Sequence, residues 1–126
     1  MKDYFSVNRR TWARGCRLEF GPTSMLNEQG NLCCLGHYCR QMGVPDKYMQ
    51  RNGLPCTVAL HGGYNIPDLV EWCGGDVYST PLAIRAADIN DDPSIRDDER
   101  ERQLTALFAE DGIEVEFYDG YLPSPR

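Results

Sequence analysis

The segment Ser94-Ile95-Arg96-Asp97-Asp98-Glu99-Arg100-Glu101-Arg102-Gln103-Leu104-Thr105-Ala106-Leu107-Phe108-Ala109-Glu110-Asp111-Gly112-Ile113-Glu114-Val115-Glu116-Phe117 decides the fold. Ser94 with Asp97 has the spacing of a capping box and predicts a helix from there to about Glu110. Leu104, Leu107 and Phe108 form its apolar stripe, and the same stripe extended backwards meets Asp97, Arg100 and Glu101. The first turns are therefore expected in solvent, with only the last two packed. Gly112 ends the helix. Ile113 to Phe117 then alternates apolar and polar, the pattern of a strand with one wet face.

Upstream, Thr80-Pro81 is a cap and first-turn signature for a helix over about 81–89 that uses Leu82, Ala83, Ala86 and Ile89, broken by Asp91-Asp92-Pro93. Leu32, Leu35, Cys39 and Met42 share one helical face, and Gly43 supplies a stop. Gly36 lies inside that helix at a cost of roughly 1 kcal/mol relative to Ala, which predicts close approach of another backbone. Asp46 to Arg51 reads as a short helix, and Asn8 caps another over Arg9–Arg14 that Gly15 ends. Cys16–Phe20 and Ser24–Asn27 read as extended. Residues 54–79 read as mostly irregular, with Thr57–Leu60 a candidate strand and one short helix near 67–72. The expected architecture is one α+β domain over residues 1–117, four or five short helices on a small, mostly antiparallel sheet. Residues 118–126 are expected as a loose tail.

A chain of 126 residues suits one domain, and 41% apolar with 10% aromatic residues suits a packed core. The net charge of −6 is uneven: residues 1–85 sum to +2 and residues 86–126 to −8. That balance disfavours duplex DNA, whose binding needs positive surface to displace counterions. No apolar run approaches the ~18 residues of a membrane span, and the first residues lack the apolar core of a secretory signal. The expected setting is intracellular, where the six cysteines read as free thiols packed as small hydrophobes rather than as three bridges.

Several constellations carry chemistry. Arg9, Arg10, Arg14 and Arg17 around Trp12 suit an anionic ligand such as a nucleotide, because guanidinium forks grip phosphates and an indole stacks on bases. The plainer reading is a solvated helix face with Trp12 in the core. Cys33 and His37, with Cys56 and His61, can be assembled into a zinc site, although no Cys-x-x-Cys is present; packed cysteines are the alternative, and no cofactor is expected. Cys56 and His61 with Asp68 or Asp76 also supply the parts of a small hydrolase or transferase. Asp88 to Glu99 partly matches a calcium loop, but Pro93 stands where the turn needs glycine, so capping by Asp and Asn is preferred. The acidic second half can imitate nucleic-acid phosphates toward a nucleic-acid-binding protein. Alternatively it is a salt-bridged helix with pairs such as Asp98–Arg102.

Across the chain the pattern is Arg10-Thr11-Trp12-Ala13-Arg14-Gly15, then Leu26, Gly30-Asn31-Leu32-Cys33-Cys34-Leu35-Gly36, Met42-Gly43-Val44-Pro45 and Ile89-Asn90-Asp91. It closes with Leu107-Phe108 and Gly112 to Phe117. This resembles a group of small bacteriophage- and prophage-encoded proteins without an established general function. The resemblance implies the bacterial host's cytoplasm and an accessory role in countering defence, by binding a host protein or a signalling nucleotide. It implies no catalytic residues, and many members carry an apolar residue where this chain has His37. The expected function is therefore non-enzymatic binding of a host protein or small anionic ligand, the latter through Arg9, Trp12 and Arg14. The alternative is a Cys/His- or metal-dependent hydrolase or transferase.

Overall fold

Phe5 and Val7 alternate with Tyr4, Ser6 and Asn8, and this period of two forms a strand, β1 (Tyr4–Asn8), absent from the sequence-based expectation. The computed structural model describes residues 4–15, 25–27, 30–50 and 81–119. Four helices follow β1 among these: α1 (Cys34–Gln41), α2 (Asp46–Met49), α3 (Pro81–Asp91) and α4 (Asp97–Glu110). Strand β2 (Glu114–Tyr118) comes last. The class is α+β, as expected.

The sheet corrects the expectation of mostly antiparallel pairing. β1 and β2 are parallel, with Phe5 opposite Val115 and Val7 opposite Phe117. An antiparallel pair can be closed by a short turn, whereas parallel strands need a long crossover. Here the helices lie between the two strands in sequence, so the chain can return to the starting side before β2 begins. Alternation at 113–117 reveals the wet face of β2 but carries no information about strand direction. β2 also runs to Tyr118, one residue into the expected tail.

Burial explains the packing. Phe5 lies 4.7 Å from the Tyr38 ring of α1 and 5.0 Å, edge-on, from the Phe108 ring of α4, centroid to centroid. Leu32, Leu35, Cys39, Leu104 and Ile113 are buried with them. α4 ends as read: Ile113 N–H donates to the Phe108 carbonyl at 3.0 Å and Gly112 N–H to that of Ala109 at 3.0 Å, with Gly112 at φ +74°. That left-handed glycine turns the chain from helix into β2.

Local corrections follow physical causes. The expected helix over 9–14 is a 3-10 turn, Arg9–Thr11, with Asn8 Oδ1 capping Arg10 N–H at 2.9 Å. Ser24–Asn27 reduces, in its described part, to a bridge of Leu26 to Leu32, and α2 ends at Met49. Ser94 does not cap α4. Its N–H and Oγ both donate to Asp92 Oδ1 at 2.9 and 2.7 Å, and α4 starts at Asp97 behind Arg96. The expectation of solvated first turns also fails, because Arg100 is 2% and Glu101 8% exposed. The readings at Cys16–Phe20 and 54–79 lie outside the described residues.

Gly36 meets its expectation: an added Cβ would sit 2.6 Å from the Met25 carbonyl oxygen and 2.9 Å from Leu32 Cδ2. Backbone cannot yield as a flexible side chain does. The Gly36→Ala variant is expected to lose about 1–3 kcal/mol of stability through overpacking, against the small gain alanine gives a helix. Urea unfolding checks it, and a stabilised variant would refute the close approach.

Candidate functional site

The structure brings Arg9, Trp12 and Arg14 together and supplies their counter-charges from within the chain. The Arg9 guanidinium meets the Glu101 carboxylate side-on, Nε to Oε2 at 2.8 Å and Nη2 to Oε1 at 3.0 Å. The Arg14 guanidinium lies 4.5 Å from the Trp12 ring centroid, and its Nη1 donates to the carbonyls of Arg9 and Trp12 at 3.2 and 3.0 Å. Arg14 Nε is 3.1 Å from Asp97 Oδ2 without an aligned hydrogen bond. Trp12 is 4% exposed, and its Nε1 donates to Asn90 Oδ1 at 2.8 Å. An external anion has to displace two carboxylates here, and the indole face is already covered.

The sulfur and imidazole candidates divide. Cys56 and His61 lie outside the described residues. Cys33 caps α1, its Sγ accepting from Gly36 N–H at 3.4 Å, and burial pushes its thiol up to about 12. Burial also raises the Cys34 thiol well above its ordinary value. Thiols held neutral are poor nucleophiles and poor metal ligands. Cys33, Cys34 and Cys39 are buried thiols outside any disulfide, and among the described residues no three Cys, His, Asp or Glu side chains are grouped to hold a metal. The calcium-like segment is helical through Asp91, with Asn90 turned into the core.

His37 Nε2 is buried with no hydrogen-bond partner. Burial first, and Arg40 second, lower its pKa to about 4, opposed by a hydrogen bond with the Thr11 backbone. The unfolded chain takes up this proton near pH 6.5 and the folded chain only near 4, so the unfolded state binds more protons between those values. Stability from His37 is complete above about pH 6.5 and falls by on the order of 2–3 kcal/mol as pH drops toward 4. Urea midpoints of the parent and His37→Gln between pH 7 and 5 check this; parallel slopes would refute it.

On the outward face of the sheet, the described residues supply no such counter-cation. Phe5, Val7, Val115 and Phe117 turn inward, leaving Tyr4, Ser6, Asn8, Glu114, Glu116 and Tyr118 on the opposite face. Tyr4 is 38% and Tyr118 44% exposed. Tyr4 Oη donates to Glu116 Oε2 at 2.6 Å, which raises the phenol's pKa. No cation pairs with Glu114 or Glu116 among the described residues, while Arg10 reaches Asp119 at 3.0 Å beyond the end of β2. The strict alternation of 113–117 already marks Glu114 and Glu116 as outward; Tyr4 required reading the same period at 4–8.

Helices α1, α3 and α4 with a two-stranded parallel sheet define a small α+β protein whose described helices are all too short and polar to cross a membrane. In comparisons with protein-family models, curated proteins and solved structures, the chain matches none.

Proposed function

We propose that this chain is a binding protein, not a catalyst, and that it captures a partner protein through a basic surface on that partner. One observation supports this most. Each of the eight arginines among the described residues is ion-paired within the chain. Lys47 lies against the Tyr48 ring. Asp111, Glu114 and Glu116 have no such cation among the described residues, so the charge offered to a partner is negative. The arginines interleaved along α4 mute its own acids: Arg96 pairs with Asp98 and Arg102 with Glu99, in place of Asp98–Arg102. Among the described residues the uncompensated charge therefore lies past α4, at Asp111 and along β2.

The resemblance to bacteriophage and prophage proteins places that partner, in this reading, among proteins of the bacterial host's cytoplasm. A carboxylate face suits the blocking of a nucleic-acid-binding protein, because it presents negative charge where phosphates would lie. Duplex DNA and membranes are not partners in this reading. Incubation of the immobilised protein with bacterial lysate at about 50 mM and about 500 mM salt tests it. The expected result is retention of proteins rich in exposed lysine and arginine at low salt and their release at high salt. A free nucleotide that raises the melting temperature, with the rise lost in Arg14→Ala, would overturn it in favour of a small anionic ligand.

A further inference from the structure

We infer that the outward face of β1 and β2 is the docking surface, and that its occupant is an extended protein segment bearing lysine or arginine at alternate positions. This rests on the proposed capture of a basic partner and specifies its site. Three observations carry it.

The first is charge. Glu114 and Glu116 project from the same face of β2, and neither is paired with a cation among the described residues. The second is spacing. Residues two apart on a strand are separated by about 6.6 Å along it, which is also the repeat of side chains on one face of an extended segment. A segment lying along β2 therefore brings alternate cations over successive carboxylates. A helix reaches a similar interval, about 6.0 Å, only between residues four apart, so the two kinds of segment call for different lysine spacings.

The third is the aromatic flanks. Tyr4 lies opposite Glu114, and Tyr118 follows Glu116 on the same face, both with exposed rings. Tyrosine rings beside carboxylates receive ammonium or guanidinium groups by cation–π contact as well as by ion pairing. Tyr4 Oη, bonded to Glu116 at 2.6 Å, holds one carboxylate in place before any partner arrives. Beyond Tyr118, Arg10 already pairs with Asp119 at 3.0 Å, so the run of carboxylates offered to a partner stops at Glu116.

Two peptides of identical composition test the inference on the full chain: one alternating lysine and threonine, the other repeating Lys-Lys-Thr-Thr, in which no two lysines stand two positions apart. At low salt the alternating peptide is expected to bind about tenfold more tightly, the sum of two exposed ion pairs and a ring contact. The double variant Glu114→Gln, Glu116→Gln should abolish that preference, whereas Asp111→Asn, off this face, should preserve it. Melting temperatures of both variants should stay near the parent's, since all three side chains are exposed. Equal binding of the two peptides, or loss of the preference in Asp111→Asn, would overturn the sheet-face site and leave capture of a basic partner standing. Binding of neither peptide would overturn that reading as well.

Discussion

Replacement of Arg100 by methionine is expected to destabilise the protein by about 3–5 kcal/mol and lower its melting temperature by on the order of 15 °C. The guanidinium is a staple for the connection between α3 and α4. Nη1 donates to the carbonyls of Ile89, Asn90 and Asp92 at 2.6, 3.0 and 2.8 Å, and Nη2 to that of Ile95 at 2.5 Å. Nε lies 3.5 Å from Asp97 Oδ1. Exchange of a buried ion pair for a well-packed hydrophobe is often neutral, because both charges leave together. That does not apply here, since the acceptors are main-chain carbonyls that remain after the side chain is gone. The Asn90 and Asp92 carbonyls keep the N–H groups of Gly15 and Ile95 at 2.8 and 3.4 Å, whereas those of Ile89 and Ile95 lose the donor that Arg100 gave them, at about 1–3 kcal/mol for each acceptor left buried without one. Arg100→Lys should recover less than half of the loss, because one ammonium cannot reach a fan of carbonyls that a planar fork reaches. A methionine variant within about 1 kcal/mol of the parent in urea unfolding would show that the connection holds without the staple.

Arg100 also marks where the sequence stops being legible. Leu104, Leu107 and Phe108 announce the packed end of α4 because apolar residues at helical spacing have only one good destination. Arg100 and Glu101 continue the same stripe, and nothing in their chemistry alone tells a charged residue in solvent from one buried against distant partners. The deciding partners are the α3–α4 carbonyls for Arg100 and Arg9 for Glu101, separated from it by 92 positions. Such contacts are made by the fold and have no local signature. Gly36 was legible for the opposite reason, since a helix interior tolerates glycine only at a cost that some close contact must offset. Strand direction was not legible, because alternation fixes faces and leaves pairing to the topology.

The same limit governs the candidate site. Arg9, Arg14 and Trp12 stand close in sequence and look like a ligand cradle, and the fold does gather them. It also brings Glu101 and Asp97 from α4 to neutralise them. Opposite charges remote in sequence cancel on folding, so every arginine among the described residues is held in an internal pair. Among the described residues, Glu114 and Glu116 on the outward sheet face have no such cation. Net charge signals its sign; only the pairing shows its place.

Asn90 is the second residue on which the fold turns. It is fully buried, and its amide uses all of its hydrogen-bonding capacity. Oδ1 accepts from Trp12 Nε1 and Cys34 N–H at 2.8 and 3.1 Å; Nδ2 donates to the Ala13 carbonyl and Asp91 Oδ1 at 2.9 and 3.0 Å. It thereby joins the N-terminal segment, the first turn of α1 and the end of α3. Asn90→Ala is expected to lose on the order of 4 kcal/mol, since an indole N–H, a helix N-terminal amide and a carbonyl lose partners together. Asn90→Asp is the sharper test because it keeps the shape and reverses only the donor. The introduced oxygen would face the Ala13 carbonyl and the Asp91 carboxylate, both acceptors, while the donors of Arg100 are already held by carbonyls. The new carboxyl can sit there only with a proton, so its folded pKa lies above the unfolded value of about 3.9. Its penalty relative to the parent is then small near pH 4 and grows as pH rises toward neutrality, where the unfolded chain has lost the proton and the folded chain must either hold it or bury a charge. Urea unfolding of both proteins from pH 4 to 7 measures the difference directly. A penalty that stays constant with pH would mean that Nδ2 is not the donor, and that the bond from Trp12 Nε1, with that of Gly15 N–H to the Asn90 carbonyl at 2.8 Å, ties the N-terminal segment to α3.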